Sequence, residues 1–223
     1  MGKLYFWKNN PTNLTEFSQE EFDSIKFKCR ISIIDDEEIP HVKRLRQDGY
    51  NITEFSDIER IGDFIRQKYH VVVLDIQGVG KTLTPESEGW GMLKYLKKEC
   101  PHTVVIVFTG ADWSITKYKE QAELADDFIG KDLEFLDFKA KLDTAVKKAF
   151  SLKYHFNIEK QNLMKEISNA NSISEIENIV FKFGQNKEKT KDKLIKKKYT
   201  SEVISIVDSF LSICESILKL VKP

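Results

Sequence analysis

Asp35, Asp36, Asp75, Thr109 and Lys131 each stand at or just beyond the end of a short apolar run. Ile31-Ser32-Ile33-Ile34 leads into Asp35-Asp36, and Val71-Val72-Val73-Leu74 leads into Asp75. The run Thr103 to Phe108 leads into Thr109, and Asp127-Phe128-Ile129 ends just short of Lys131. Short β-branched runs of this kind read as buried strands. In an open parallel sheet their carboxyl ends lie side by side, along the edge where such sheets bind ligands. Three carboxylates would then share one pocket with a hydroxyl and an ammonium. Carboxylates a few ångströms apart repel one another and call for a cation. With only oxygen ligands available, the cation that fits is magnesium, which takes a few carboxylates together with water and phosphate.

The elements that would position these residues follow from the patterning. Residues 30–150 alternate β-branched runs with amphipathic segments near 38–48, 57–68, 88–99, 113–125 and 133–149, the pattern of a βαβ fold with crossover helices. Residues 1–29 form an extension that contains Tyr5-Phe6-Trp7 and a short helix with a capping-box-like Ser18-x-x-Glu21. Residues 151–223 hold no β-rich run and read as wholly helical. Ile173, Ile176, Ile179, Val180 and Phe183 recur at helical spacing, with Ser172-x-x-Glu175 as the expected start and Gly184 as the expected end. The lysine-rich stretch Lys187 to Lys198 then reads as a solvated linker. A last helix of about twenty residues carries Val203, Val207, Phe210, Cys214, Ile217 and Val221 as a broad apolar stripe, suited to burial against several neighbours.

Bulk properties narrow the classes. The chain has 223 residues, 41% hydrophobic and 31% charged, which is ample for a core. Thirty-five basic residues balance 35 acidic ones, so no global field draws it to nucleic acid or membrane. Cys29, Cys100 and Cys214 are too scattered for a disulfide framework or a zinc site. No signal-like start and no spanning apolar stretch is seen, so a cytoplasmic protein without membrane insertion is expected. Gly78-Val79-Gly80-Lys81-Thr82 imitates a phosphate-binding P-loop, but the position six before the lysine is Asp75 where that motif needs glycine. His41, His70, His102 and His155 share no ligand spacing and read as structural. Trp90 and Trp113 open expected helices.

The strand-end residues, with Phe108-Thr109-Gly110 and the run Ala125-Asp126-Asp127-Phe128-Ile129-Gly130-Lys131, resemble the receiver domain of bacterial response regulators over about residues 30–150. The resemblance implies a flavodoxin-like, doubly wound, parallel five-stranded sheet in the order 2-1-3-4-5. It implies that Asp75 accepts a phosphoryl group from the phosphohistidine of a histidine kinase or histidine phosphotransfer protein. It further implies that Asp36, Asp75, the backbone carbonyl of Gln77 and, through water, Asp35 hold Mg2+. Lys131 and Thr109 would contact the phosphoryl oxygens, and Thr109 with Phe128 would form the switch. Such a domain promotes its own phosphorylation and dephosphorylation. Two features depart from the family: a longer loop from Gln77 to Glu88, and Asp132 where proline usually follows the lysine.

The tail carries the output. Residues 151–223 contain no arginine, and base readout favours Arg, Asn and Gln on a groove-facing helix. DNA binding is therefore not expected, and the segment is too short for an enzymatic output domain of the family. The preferred reading is a phosphorelay signalling module whose C-terminal helices bind a downstream protein or a second copy of the chain. The alternatives are a transcription regulator with a small atypical output domain, and a non-phosphorylated receiver used as a scaffold.

Overall fold

In a computed structural model, residues 17–110, 116–184 and 186–221 are described. Tyr5-Phe6-Trp7 and Trp113 lie outside them. Contacts divide the chain into two units, the first spanning Gln19–Ala149 and the second covering the helices from Phe150 onward.

In the first unit five strands, β1 (Arg30–Ile34), β2 (Asn51–Phe55), β3 (Val71–Asp75), β4 (Val104–Thr109) and β5 (Asp127–Gly130), form one parallel sheet in the order β2-β1-β3-β4-β5. This is the expected flavodoxin-like arrangement. β3 and β4 are buried along their whole length, as strands covered by helices on both faces must be. Val72, Leu74, Val105 and Val107 face a core completed by Trp90, Leu93 and Leu96 of α4 (Glu88–Glu99). On the opposite side, Phe108 meets Phe138 of α6 (Phe135–Ala149) edge to face at 5.7 Å.

The other helices of this unit are α1 (Gln19–Lys28), α2 (Val42–Gln47), α3 (Ile61–Arg66) and α5 (Lys119–Ala122). Two, α2 and α3, are shorter than their patterning predicts. Pro40 disfavours helical geometry at Ile39 and delays α2. Asp57 is held in a loop because its Oδ1 accepts from the Ile58 and Gly80 amides, both at 2.7 Å. Of the stretch 113–125, residues 116–117 and 119–122 are helical, and 111–115 are undescribed. α1, expected in a separate extension, instead starts straight after Ser18 and is part of the sheet unit, burying Phe22 and Ile25.

Among the described residues the second unit has four helices: α7 (Leu152–Glu166), α8 (Ala170–Phe183), α9 (Lys187–Lys196) and α10 (Ser201–Val221). α8 begins earlier than expected, because the Asn169 side chain caps it by accepting from the Asn171 amide at 2.9 Å. Gly184 ends it as expected. The lysine-rich stretch is a helix and not a linker. Asn186 caps α9, Thr190 and Leu194 are buried, and Lys187 and Lys191 pair with Asp208 at 3.1 and 2.7 Å. One buried residue per turn on the inner face, with lysines pairing to a neighbouring helix, holds it. On α10, Val203, Val207, Phe210, Cys214 and Ile217 are buried, and Phe210 packs on Phe156 of α7 at 5.3 Å. That part of the stripe is thus covered within the unit. No described helix is long and apolar enough to cross a membrane.

Phe210→Ala should cost about 3–5 kcal/mol in urea unfolding followed by circular dichroism. A cost below about 0.5 kcal/mol would place Phe210 on a surface instead.

Candidate functional site

Sheet register brings the predicted residues to one edge. Leu74 is level with Ile34, Asp75 with Phe108, and Thr109 with Gly130. Asp35 and Lys131 are the next residues after their strands, so both emerge beside Asp75. The Asp35 amide extends the ladder by donating to the Phe55 carbonyl at 3.0 Å. Asp35, Asp75 and Thr109 are buried, and Asp36 is exposed at the rim.

One oxygen from each of Asp35, Asp36 and Asp75 lies within 4.8 Å of the others. Lys131 Nζ is 2.8 Å from Asp75 Oδ2 and 3.1 Å from Asp35 Oδ2. Asp75 Oδ1 accepts from the Gln77 amide at 3.1 Å, and Asp35 Oδ1 from the Glu37 amide at 2.8 Å. Asp35 Oδ2 is buried and, despite the nearby ammonium, makes no well-aligned hydrogen bond. Three carboxylates therefore share one close lysine. Lys81, at 4.0 Å from Asp36 and largely exposed, adds little.

A second buried carboxylate sharpens the contrast. Asp126 has both Lys97 at 2.7 Å and Lys148 at 2.9 Å, and accepts from the Val105 amide at 2.8 Å. Although burial opposes it, the Lys97 contact and these bonds hold its pKa below the ordinary range. At Asp75 the balance reverses. Burial, aided by Asp35, raises its pKa even though Lys131 and the Gln77 amide pull the other way. Burial alone would depress Lys131, but the two carboxylates outweigh it and raise its pKa. The pocket is short of positive charge, and its donor set is all oxygen. A hard divalent cation such as magnesium fits it.

The long loop after Asp75 is built around the same edge. Gly78, at φ +81°, approaches Asp36 so closely that a Cβ there would lie 2.2 Å from the carboxylate. Gly89 lets α4 start against the Asp75 carbonyl, 2.3 Å from where a Cβ would sit. The loop is tied down by Gly78 N–H to Glu88 Oε2 at 2.8 Å, by Gly80 N–H to Asp57, and by Tyr118 O–H to the Glu86 carbonyl at 2.9 Å. Asp57 and Glu88 were not singled out from the sequence. Their only signal there is a carboxylate type, which is too common to single out. Phe128 is half-buried against the Trp90-containing core. Lys131 reaches Asp75 without a proline after it, and no described peptide bond is cis.

No protein-family model and no curated protein matches the chain. Solved structures do. The BeF3-activated DrrB receiver domain is 25% identical over 53% of this chain and 97% of that one, with a TM-score of 0.41. TrrA from Thermotoga maritima, in complex with Mg2+ and BeF, is 22% identical over 52% and 97%, with a TM-score of 0.42. NtrX from Brucella abortus is 18% identical over 70% of this chain but 34% of that one, with a TM-score of 0.44. The neighbours are response-regulator receiver domains. In this chain the sheet unit carries all five strand-end residues.

The raised pKa of Asp75 sets a sign for stability. The folded state holds this proton more tightly than the unfolded chain does. The contribution is therefore complete below the ordinary value of 3.8 and is lost as pH rises through the folded value. Asp75→Asn should accordingly raise the thermal midpoint at pH 7 in the absence of divalent ions. The gain should shrink as pH falls toward 3.8. Calorimetry of both forms across that range checks it.

Proposed function

We propose that this protein is a phosphorylation-dependent module of a two-component phosphorelay, with Asp75 as the phosphoacceptor. The observation that carries the reading is the cluster of three carboxylate oxygens within 4.8 Å, with Lys131 2.8 Å from Asp75. An Asp75 oxygen forms a bond to phosphorus as the bond from phosphorus to the donor imidazole breaks. The imidazole of a histidine kinase or histidine phosphotransfer protein leaves with the electron pair. Asp35, Asp36, Asp75 and the Gln77 carbonyl would hold Mg2+, which supplies charge neutralisation for the transferring phosphoryl oxygens.

The chain's own groups do the rest. The Gln77 amide holds Asp75 Oδ1, which fixes the carboxylate plane. Lys131 already sits against the second Asp75 oxygen, where the phosphoryl charge would develop. Thr109, level with Gly130 on the neighbouring strand, offers a hydroxyl to a phosphoryl oxygen. Phe128 follows that movement from β5 and passes it to the adjoining surface. The helices of residues 150–221 take the signal to a downstream protein or a second copy. DNA is a poor fit for them. Lys187 and Lys191 are spent on Asp208 and Lys197 on Glu175, and the segment has no arginine.

Incubation with Mg2+ and a small acyl phosphate, followed by intact mass measurement, tests this. Wild type should gain one phosphate, and Asp75→Asn none. Lys131→Met should react about a hundredfold more slowly. Asp36→Ala should be labelled poorly. An unlabelled wild type, beside a receiver domain that the same donor labels, would leave the scaffold reading.

A further inference from the structure

We propose that His41 is a positioning residue for Lys131, acting through the Leu133 carbonyl; this rests on the phosphoacceptor reading. Lys131 carries its charge at the end of four flexible bonds, so the head is held only if the root is held. The root lies in a turn without proline, Gly130-Lys131-Asp132-Leu133, so no ring restrains its backbone. Two main-chain bonds secure it. The Lys131 amide donates to the Thr109 carbonyl at 3.2 Å, and the Leu133 amide closes the turn on the Gly130 carbonyl at 3.2 Å. The third tie is distant in sequence: His41 Nε2 lies 3.1 Å from the Leu133 carbonyl oxygen. A carbonyl only accepts, so Nε2 must carry the proton.

His41 is itself well placed to bear load. It stands at the start of α2, whose Val42 and Leu45 are buried. Its ring packs on Phe135 and Phe138 of α6, with centroids 5.7 and 5.4 Å away. One turn on, the Arg44 guanidinium lies 3.9 Å over the Phe135 ring. The loop with Asp35 and Asp36 thus leads into a helix that clasps the turn carrying Lys131. The clasp fixes the distance between the carboxylates and the lysine that must act on the same phosphoryl group. An error of about 1 Å in such a distance costs about a hundredfold in rate.

Three forms of the protein test this by phosphorylation with a small acyl phosphate at saturating Mg2+. His41→Phe keeps the ring packing and removes the donor. It should be labelled about ten- to a hundredfold more slowly than wild type, with Mg2+ affinity unchanged. His41→Gln places an amide N–H near Nε2 and should restore most of the rate. A wild-type rate in His41→Phe overturns the proposal, as does a His41→Gln protein as slow as His41→Phe. A parallel loss of Mg2+ affinity also overturns it, because the effect would then lie in the carboxylate loop. Two measurements do not need phosphorylation. Long-range proton–nitrogen NMR of the wild type should find the His41 proton on Nε2, and a proton on Nδ1 alone sinks the clasp even if the variants fail to fold. Amide exchange at residues 131–133 should quicken in His41→Phe and not in His41→Gln, and unchanged exchange overturns the tie. An unlabelled wild type with the clasp intact by these two measures refutes the phosphoacceptor reading and not the clasp.

Discussion

Repulsion among Asp35, Asp36 and Asp75 is the constraint around which the sheet edge is organised. Like charges at this separation, partly out of water, destabilise the fold unless something positive joins them. The chain supplies one close ammonium, from Lys131, for three acids. A protein built only for stability would treat the pocket as it treats Asp126, with two lysines and an amide around one carboxylate. The charge deficit is therefore the part of the structure that packing cannot explain. Under the proposed reading it is the space left for a divalent cation, whose charge offsets the acids and the phosphoryl oxygens that one of them accepts.

Holding such a pocket open requires rigidity next to it, and the glycines show where. Gly78 lets the loop after β3 pass against the Asp36 carboxylate, and Gly89 lets α4 begin against the end of β3. Both contacts are too close for any side chain. The loop is then fastened at Asp57, Glu88 and Tyr118. The longer loop from Gln77 to Glu88 is a tethered wall of the site.

The pocket was legible from residues 31–131 because strand ends carry an unambiguous code. A buried parallel strand is a continuous apolar run, and its first polar residue marks the sheet edge. Asp35, Asp75 and Lys131 met through that code alone. Contacts made by single polar groups across loops left no comparable trace. Asp57, Glu88 and His41 each reach a main-chain atom of another segment, 23, 10 and 92 residues away, and no periodicity records that. The stretch from Lys187 misled for a different reason. Its charge density hides a narrow inner face of Thr190 and Leu194, and the acid that balances its lysines, Asp208, lies on another helix. α8 began at Asn169 rather than Ser172 because two good capping residues stood three apart, and local preference does not rank them.

That same helix bears on output. Charge on a lysine is useful to a polyanion only when it is not already spent. Lys187 and Lys191 share Asp208, Lys197 pairs with Glu175, and Lys189 and Lys193 lie against the Phe183 ring. The core-facing residues of α10 are equally committed, since Val207, Phe210 and Cys214 are buried and Phe210 meets Phe156 inside the unit. A stripe already filled cannot also be a dimer seam without unfolding the bundle. If the helical unit receives a signal, the surface that reads it lies outside this core. The stripe of α10 supplies the fixed body that presents that surface.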